Sequence, residues 1–163
     1  MQQTRVESIS KLKELIEGID FAMLTTLKGN RMHSRPMSTQ KFEFDGDLWF
    51  FTSDQTAKVE EIEKDNRVNV SYSQPDENTY VSVSGTASLV KDRAKIEELW
   101  NPIYKAWFPK GLDDPSLALL KVTIEEAEYW DAPNSTFVQI YGFVKALVTG
   151  QEAGGGDHGK VKL

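Results

Sequence analysis

Apolar residues recur at helical spacing near the start of the chain, where Ile9, Leu12, Ile16 and Ile19 follow Ser8 and Gly18 stands where a helix would end. This predicts a short opening helix capped by Ser8. The pattern then changes to β-formers. Phe21–Leu27 and Arg31–Phe44 are separated by Lys28-Gly29-Asn30, and Asp45-Gly46 is a hairpin signal before Asp47–Ser53. Together these segments predict a three-strand meander in which the second strand lies antiparallel to the third. From Asp54 to Asp65 the spacing is helical again, with Val59 and Ile62 as an apolar pair on an otherwise charged surface. Arg67–Ser73 and Thr79–Val90 predict two further strands around the turn-rich Gln74-Pro75-Asp76-Glu77-Asn78.

Asp92 can cap a helix carrying Ile96, Leu99, Trp100, Ile103 and Trp107, which Pro102 bends or interrupts. A loop with Pro109, Gly111 and Pro115 leads to a last strand from about Leu119 to Trp130. Thr136 and Gln139 are spaced as a capping box before the apolar stripe of Phe137, Ile140, Tyr141, Val144 and Leu147. Residues 1–150 read as one domain, and 151–163 as a Gly-rich tail that is mobile unless docked. Six strands joined mostly by hairpin-type connections close most easily as a small barrel.

Composition narrows the function classes. The 163 residues suffice for one domain with its own core. With no cysteine, the chain has no disulfide framework or thiolate nucleophile, suits a reducing cytoplasm, and must take any redox chemistry from a cofactor. A net charge of −6 opposes nucleic acid as a partner but allows a local pocket for one phosphate. Met1–Ser10 lacks the layout of a secretory signal, and no apolar run approaches the roughly 20 residues of a membrane span. A cytoplasmic protein without a membrane partner is expected.

The most informative stretch is Phe50-Phe51-Thr52-Ser53, with Lys58 following in the first turn of a helix. Two hydroxyls, free N–H groups at a helix start and an ammonium can converge on one phosphate. The alternative is a strand end followed by an ordinary solvated lysine. In His33-Ser34-Arg35-Pro36-Met37, the proline cannot donate to a ladder and predicts a bulge or irregular strand that a planar ligand can approach, with Arg35 adding charge beside it. An edge-strand proline with a surface arginine is the other reading. Trp49 and Trp100 are expected to pack in the core, while Trp107 and Trp130 stand beside loops and could wall a ligand or a subunit interface. His33 and His158 have no second metal ligand at suitable spacing, and Glu125, Glu126 and Glu128 read as a solvated acidic run.

Ser34-Arg35-Pro36-Met37, Leu48–Ser53, Lys58, the strand end Val83-Ser84-Gly85 and Tyr129-Trp130-Asp131 together resemble the pyridoxamine 5′-phosphate oxidase-like FMN-binding split barrels, in particular the general stress protein branch. The resemblance spans about Ser8 to Leu147 and implies a six-stranded antiparallel split β-barrel with flanking helices. It implies FMN as cofactor, held at the interface of a homodimer. Arg35, Pro36 and Met37 would lie along the flavin, Thr52, Ser53 and Lys58 would hold its phosphate, and Phe51 and Trp107 are counted with the cofactor-binding residues. Trp130 would come from the other subunit. The chain departs from true pyridoxamine phosphate oxidases at Gln40, where they carry a substrate-contacting lysine, and at Ala57, where they carry an arginine. Asp131-Ala132-Pro133-Asn134 also replaces their closing Arg-Leu-His type motif, so vitamin B6 oxidation is not expected.

The resulting expectation is an FMN-dependent oxidoreductase with a small-molecule electron donor or acceptor, in which Arg35 near the ring would favour a reduced, anionic flavin. Two other classes stay open: a flavin-binding stress or sensor protein without turnover, and an oligonucleotide-binding barrel, which the net acidity disfavours.

Overall fold

The computed structural model describes residues 4–40, 45–132, 147, 150 and 157–163. Thr4, not Ser8, caps the first helix, α1 (Arg5–Ile16): its side chain accepts from the Glu7 backbone N–H while the Glu7 carboxylate accepts from the Thr4 N–H at 2.8 Å. This reciprocal cap satisfies two donors that a start at Ser8 would leave open. Ser8 is instead buried inside the helix with Leu12 and Leu15.

The strands that follow are β1 (Phe21–Lys28), β2 (Arg31–Ser38) and β3 (Asp47–Ser53), then α2 (Ala57–Lys64), β4 (Arg67–Gln74), β5 (Thr79–Val90), α3 (Arg93–Leu99), β6 (Leu117–Asp131) and β7 (Asp157–Lys162). Asp92 caps α3 by accepting from the Ala94 N–H; the helix stops at Leu99, before Pro102, which opens a separate 3-10 turn at Pro102–Ala106, so Ile103 and Trp107 lie outside α3. The expected helix over Thr136–Leu147 lies almost wholly outside the described residues.

All ladders are antiparallel, in the order β2-β1-β4-β5-β6-β3, with β7 also on β6. The expected pairing of β2 with β3 is not made: β2 pairs only with β1, whereas Asp47–Ser53 pairs with Thr123–Leu117 of β6. The two ends of the curled sheet approach one another without a ladder, and this open seam splits the barrel. Burial explains the choice of partner. Leu48, Phe50 and Thr52 face the main core, whereas Trp49 and Phe51 face a second cluster with Ile96, Leu99 and Tyr104. A strand buried on both faces needs a partner that is also buried on both faces, and Leu117–Leu120 of β6 supplies one.

One further expectation is corrected, and the condition attached to another is met. β1 and β2 pair without a register shift past Pro36, so there is no bulge; β2 is an edge strand, where a missing donor is tolerated. The tail is docked over Asp157–Lys162, which continues the row begun by β3 along the same edge of β6 and buries Val161 in the main core. The irregularity lies instead in β5, between Ser84 and Gly85, where the chains approach so closely that a Cβ on Gly85 would lie 2.0 Å from the Thr123 carbonyl oxygen.

Candidate functional site

Strand alternation sorts the β2 residues. His33, Arg35 and Met37 are turned inward, and Met37 is only 7% exposed in the main core. Ser34 and Pro36 are exposed on the outer face. Pro36 stands opposite the exposed Met23, which has Ser71 of β4 on its other side.

The inward Arg35 meets the helix that follows β3. Its Nη1 donates to Thr26 Oγ1 at 2.7 Å and its Nη2 to Glu61 Oε2 at 3.1 Å, while Thr26 donates to the same Glu61 oxygen at 2.5 Å. His33 Nδ1 lies 3.1 Å from the other oxygen, Glu61 Oε1. Thr26 is fully buried and the Glu61 side chain is 8% exposed. The Thr26 hydroxyl bond, with help from His33 and Arg35, holds the Glu61 carboxyl below the usual carboxylate range against the opposing effect of burial.

Lys58 stands one turn before Glu61 on α2 and is half-buried. Burial, then the charge of Arg35, push its ammonium below the ordinary lysine value, and among the described residues nothing is paired with it. The start of α2 is also open, because Thr56 makes no side-chain cap bond there. Its hydroxyl donates instead to the Ser53 carbonyl at 3.1 Å, as does that of Thr52 at 3.2 Å. Ser53 Oγ accepts from the Gln55 N–H at 3.3 Å, which leaves its own proton available to a ligand. Arg35 is already held by Thr26 and Glu61, but beside it the Lys58 ammonium, the uncapped helix start and the serine hydroxyl are donors without an acceptor among the described residues, and that set suits a phosphate.

The remaining predicted residues do not join this cluster within one chain. Phe51 is 9% exposed and packs against Trp100 and Tyr104, with ring centroids 5.5 and 5.2 Å away. Its side chain is part of the second core. Trp107 caps the 3-10 turn and is 56% exposed, with no described side-chain contact to Arg35 or Lys58. Trp130 is exposed on the outer face of β6. The sheet order puts four strand spacings between β2 and β6, roughly 19 Å along the curved sheet. Its ring is stacked on His158 of β7, with centroids 5.2 Å apart and planes 10° from parallel. The acidic run is likewise paired rather than merely solvated, since Glu128 meets His158 at 2.8 Å and Glu126 meets Lys160 at 3.6 Å.

Sequence reasoning missed Glu61, Thr26 and the inward role of His33. Helical spacing puts Glu61 on the same side as Lys58, but a charged residue in a charged helix reads as surface. A separate cavity of about 710 Å³ opens at the seam between the end of α1 and β3, lined by residues such as Ile16, Ile19, Leu48 and Tyr72, and it contains none of the predicted site residues. Among the described residues no three His, Asp or Glu side chains gather as metal ligands, and no helix is long and apolar enough to cross a membrane.

The family described as pyridoxamine 5′-phosphate oxidase like matches residues 7–154. Protein bli-3 of Neurospora crassa is 28% identical over 158 residues, covering 90% of this chain and 76% of its own. General stress protein 26 of Bacillus subtilis is 28% identical over 134 residues, covering 80% of this chain and 93% of its own. Among solved structures, the general stress FMN/FAD binding protein of Xanthomonas citri superposes with a TM-score of 0.67 at 31% identity, covering 80% of this chain and 92% of that one.

Proposed function

Because this chain belongs to the pyridoxamine 5′-phosphate oxidase-like family, we propose that it binds FMN between two copies of itself and acts as an FMN-dependent oxidoreductase on a small molecule. The observation that carries the reading is Lys58, a half-buried cation without a partner among the described residues, within reach of the charge of Arg35 at the open start of α2. A terminal phosphate monoester supplies the missing negative charge. Its several acceptor oxygens match the Lys58 ammonium, the Ser53 hydroxyl and the first N–H groups of the helix. The relative from Xanthomonas citri is itself described as FMN/FAD binding.

In this reading Pro36 and its exposed neighbours on β2 face the flavin, and Met37 supports them from the core. Trp130 makes no described contact with Arg35 or Lys58 in its own chain, and a partner subunit is its donor in this reading. The bound isoalloxazine supplies hydride or single-electron transfer between a small-molecule donor and acceptor. The protein supplies orientation, a fixed local charge and exclusion of water. Arg35 is largely neutralised by Glu61, so its pull toward a reduced, anionic flavin is weaker than an isolated arginine would exert. Gln40, which stands where the B6 oxidases carry a lysine, accepts from the Tyr104 hydroxyl at 3.1 Å; the missing cation argues against pyridoxamine phosphate as the substrate. The absence of cysteine suits a reducing cytoplasm.

A second reading, a flavin-holding stress or sensor protein without turnover, is favoured by one feature. His158 already covers one face of Trp130, so a tryptophan delivered to the partner's flavin brings the C-terminal strand with it as a cover. Absorbance of the protein during FMN titration, followed by anaerobic NADH or NADPH, separates the two. Saturable binding with bleaching supports the oxidoreductase. Binding without bleaching by either reductant supports the holder, and no binding removes both.

A further inference from the structure

We infer that Glu61 is the resident counterion of the anion site: it lets Arg35 and Lys58 fold side by side before a phosphate arrives, and it weakens the hold on that phosphate once bound. The inference rests on reading the start of α2 as a phosphate site, and it concerns a residue outside the donor set itself.

The geometry is that of a closed hydrogen-bonded triangle. Arg35 donates to Thr26 and to Glu61, and Thr26 donates to Glu61, so the buried hydroxyl has both its proton and an oxygen lone pair engaged. His33 on β2 occupies the remaining carboxylate oxygen. The carboxylate therefore ties β1, β2 and α2 together, with no oxygen left over to contact a ligand. Lys58 shares its helix face, three residues away.

Charge decides what this does. Arg35 and Lys58 carry two positive charges in a partly buried place, and Glu61 carries the only negative charge in direct contact with either among the described residues. Cations held together out of water are costly unless a counterion is present. Before phosphate binds, Glu61 fills that need. Afterwards a phosphate does so better, and the fixed carboxylate repels it. The same residue thus stabilises the empty fold and opposes the ligand, a trade common at binding sites.

Glu61→Gln tests this because the amide keeps the volume and an acceptor oxygen but removes the charge. The expected result is a Tm lower by about 3–8 °C without ligand, as for loss of one member of a partly buried ion pair. At low salt, inorganic phosphate and FMN should bind about tenfold tighter, while riboflavin, which lacks the phosphate, should bind as before. A Glu61 that is only structural would weaken all three ligands together, and a bystander would change none; either result overturns the inference. Should Glu61→Gln fold poorly, the pair Lys58→Met and Lys58→Met/Glu61→Gln gives a reading without ligand. Loss of the Glu61 charge must then lower Tm less when Lys58 is already absent, and an equal drop overturns the inference. A wild type that takes up inorganic phosphate but not FMN refutes the flavin reading alone, and one that takes up neither refutes both.

Discussion

Replacing Lys58 with methionine should separate phosphate binding from fold stability, because the two effects have opposite signs. Methionine keeps the length and apolar stem of the side chain but removes the ammonium. That ammonium is half-buried, has no partner among the described residues, and is pushed below the ordinary lysine value first by burial and then by Arg35. A lysine with a lowered folded value binds fewer protons folded than unfolded between the two values, so stability rises with pH through that window and the charged form is a cost at neutral pH. The ligand-free variant should therefore melt no lower than the wild type. Phosphate binding should suffer, since the lost charge-assisted bond is worth about 1.5–3 kcal/mol, or roughly 10- to 150-fold in affinity, with the lower end favoured by solvent screening of a half-exposed group. Quenching of flavin fluorescence on titration with FMN and, separately, riboflavin reads the effect. Only FMN should lose affinity. Equal loss for both flavins, or unchanged FMN affinity in a folded variant, would refute the placement of the phosphate.

Other consequences of the structure are equally open to measurement. Gly85→Ala puts a Cβ 2.0 Å from a backbone oxygen of β6, where no side chain can move aside, so about 3 kcal/mol of stability should be lost and thermal unfolding should show it. Truncation before Asp157 exposes the β6 edge and removes Val161 from the core. About 1.5–3 kcal/mol should go with that side chain, and Trp130, freed from His158, should change its fluorescence. In acid, the Glu61 carboxyl, lowered from 4.5, contributes stability that is full above the unfolded value and is lost as pH falls through its folded value. The gap in acid-unfolding stability between wild type and Glu61→Gln should accordingly narrow below about pH 4.3, the ordinary glutamate range; a gap that widens there would contradict the network.

Local pattern settles a good deal of this protein. Alternation along Val81–Thr86 and the cap at Asp92 each depend on a few neighbouring residues, and each stands where the pattern placed it; the interruption attributed to Pro102 comes earlier, after Leu99. The order and spacing of the motifs from Ser34 through Lys58 and Gly85 to Trp130 together indicated the family that the chain belongs to. Periodicity also showed that Leu48–Phe51 is a strongly apolar strand. It could not show that β3 joins β6 and not β2, because strand pairing is set by which surfaces must be covered across long sequence separations.

Tertiary structure alone decided the inward turn of Glu61. In sequence it is one acid among several in a charged helix, and only the approach of Thr26, His33 and Arg35 from two strands makes its burial tolerable. The docked tail is similar. Gly159 passes against the Tyr129 ring so closely that a Cβ would lie 2.8 Å from its hydroxyl, yet in sequence it belongs to a glycine-rich end that reads as loose chain. Backbone propensity and side-chain period report what a residue prefers by itself; the charge a site carries, and the edge a strand covers, depend on what the rest of the chain brings to meet them.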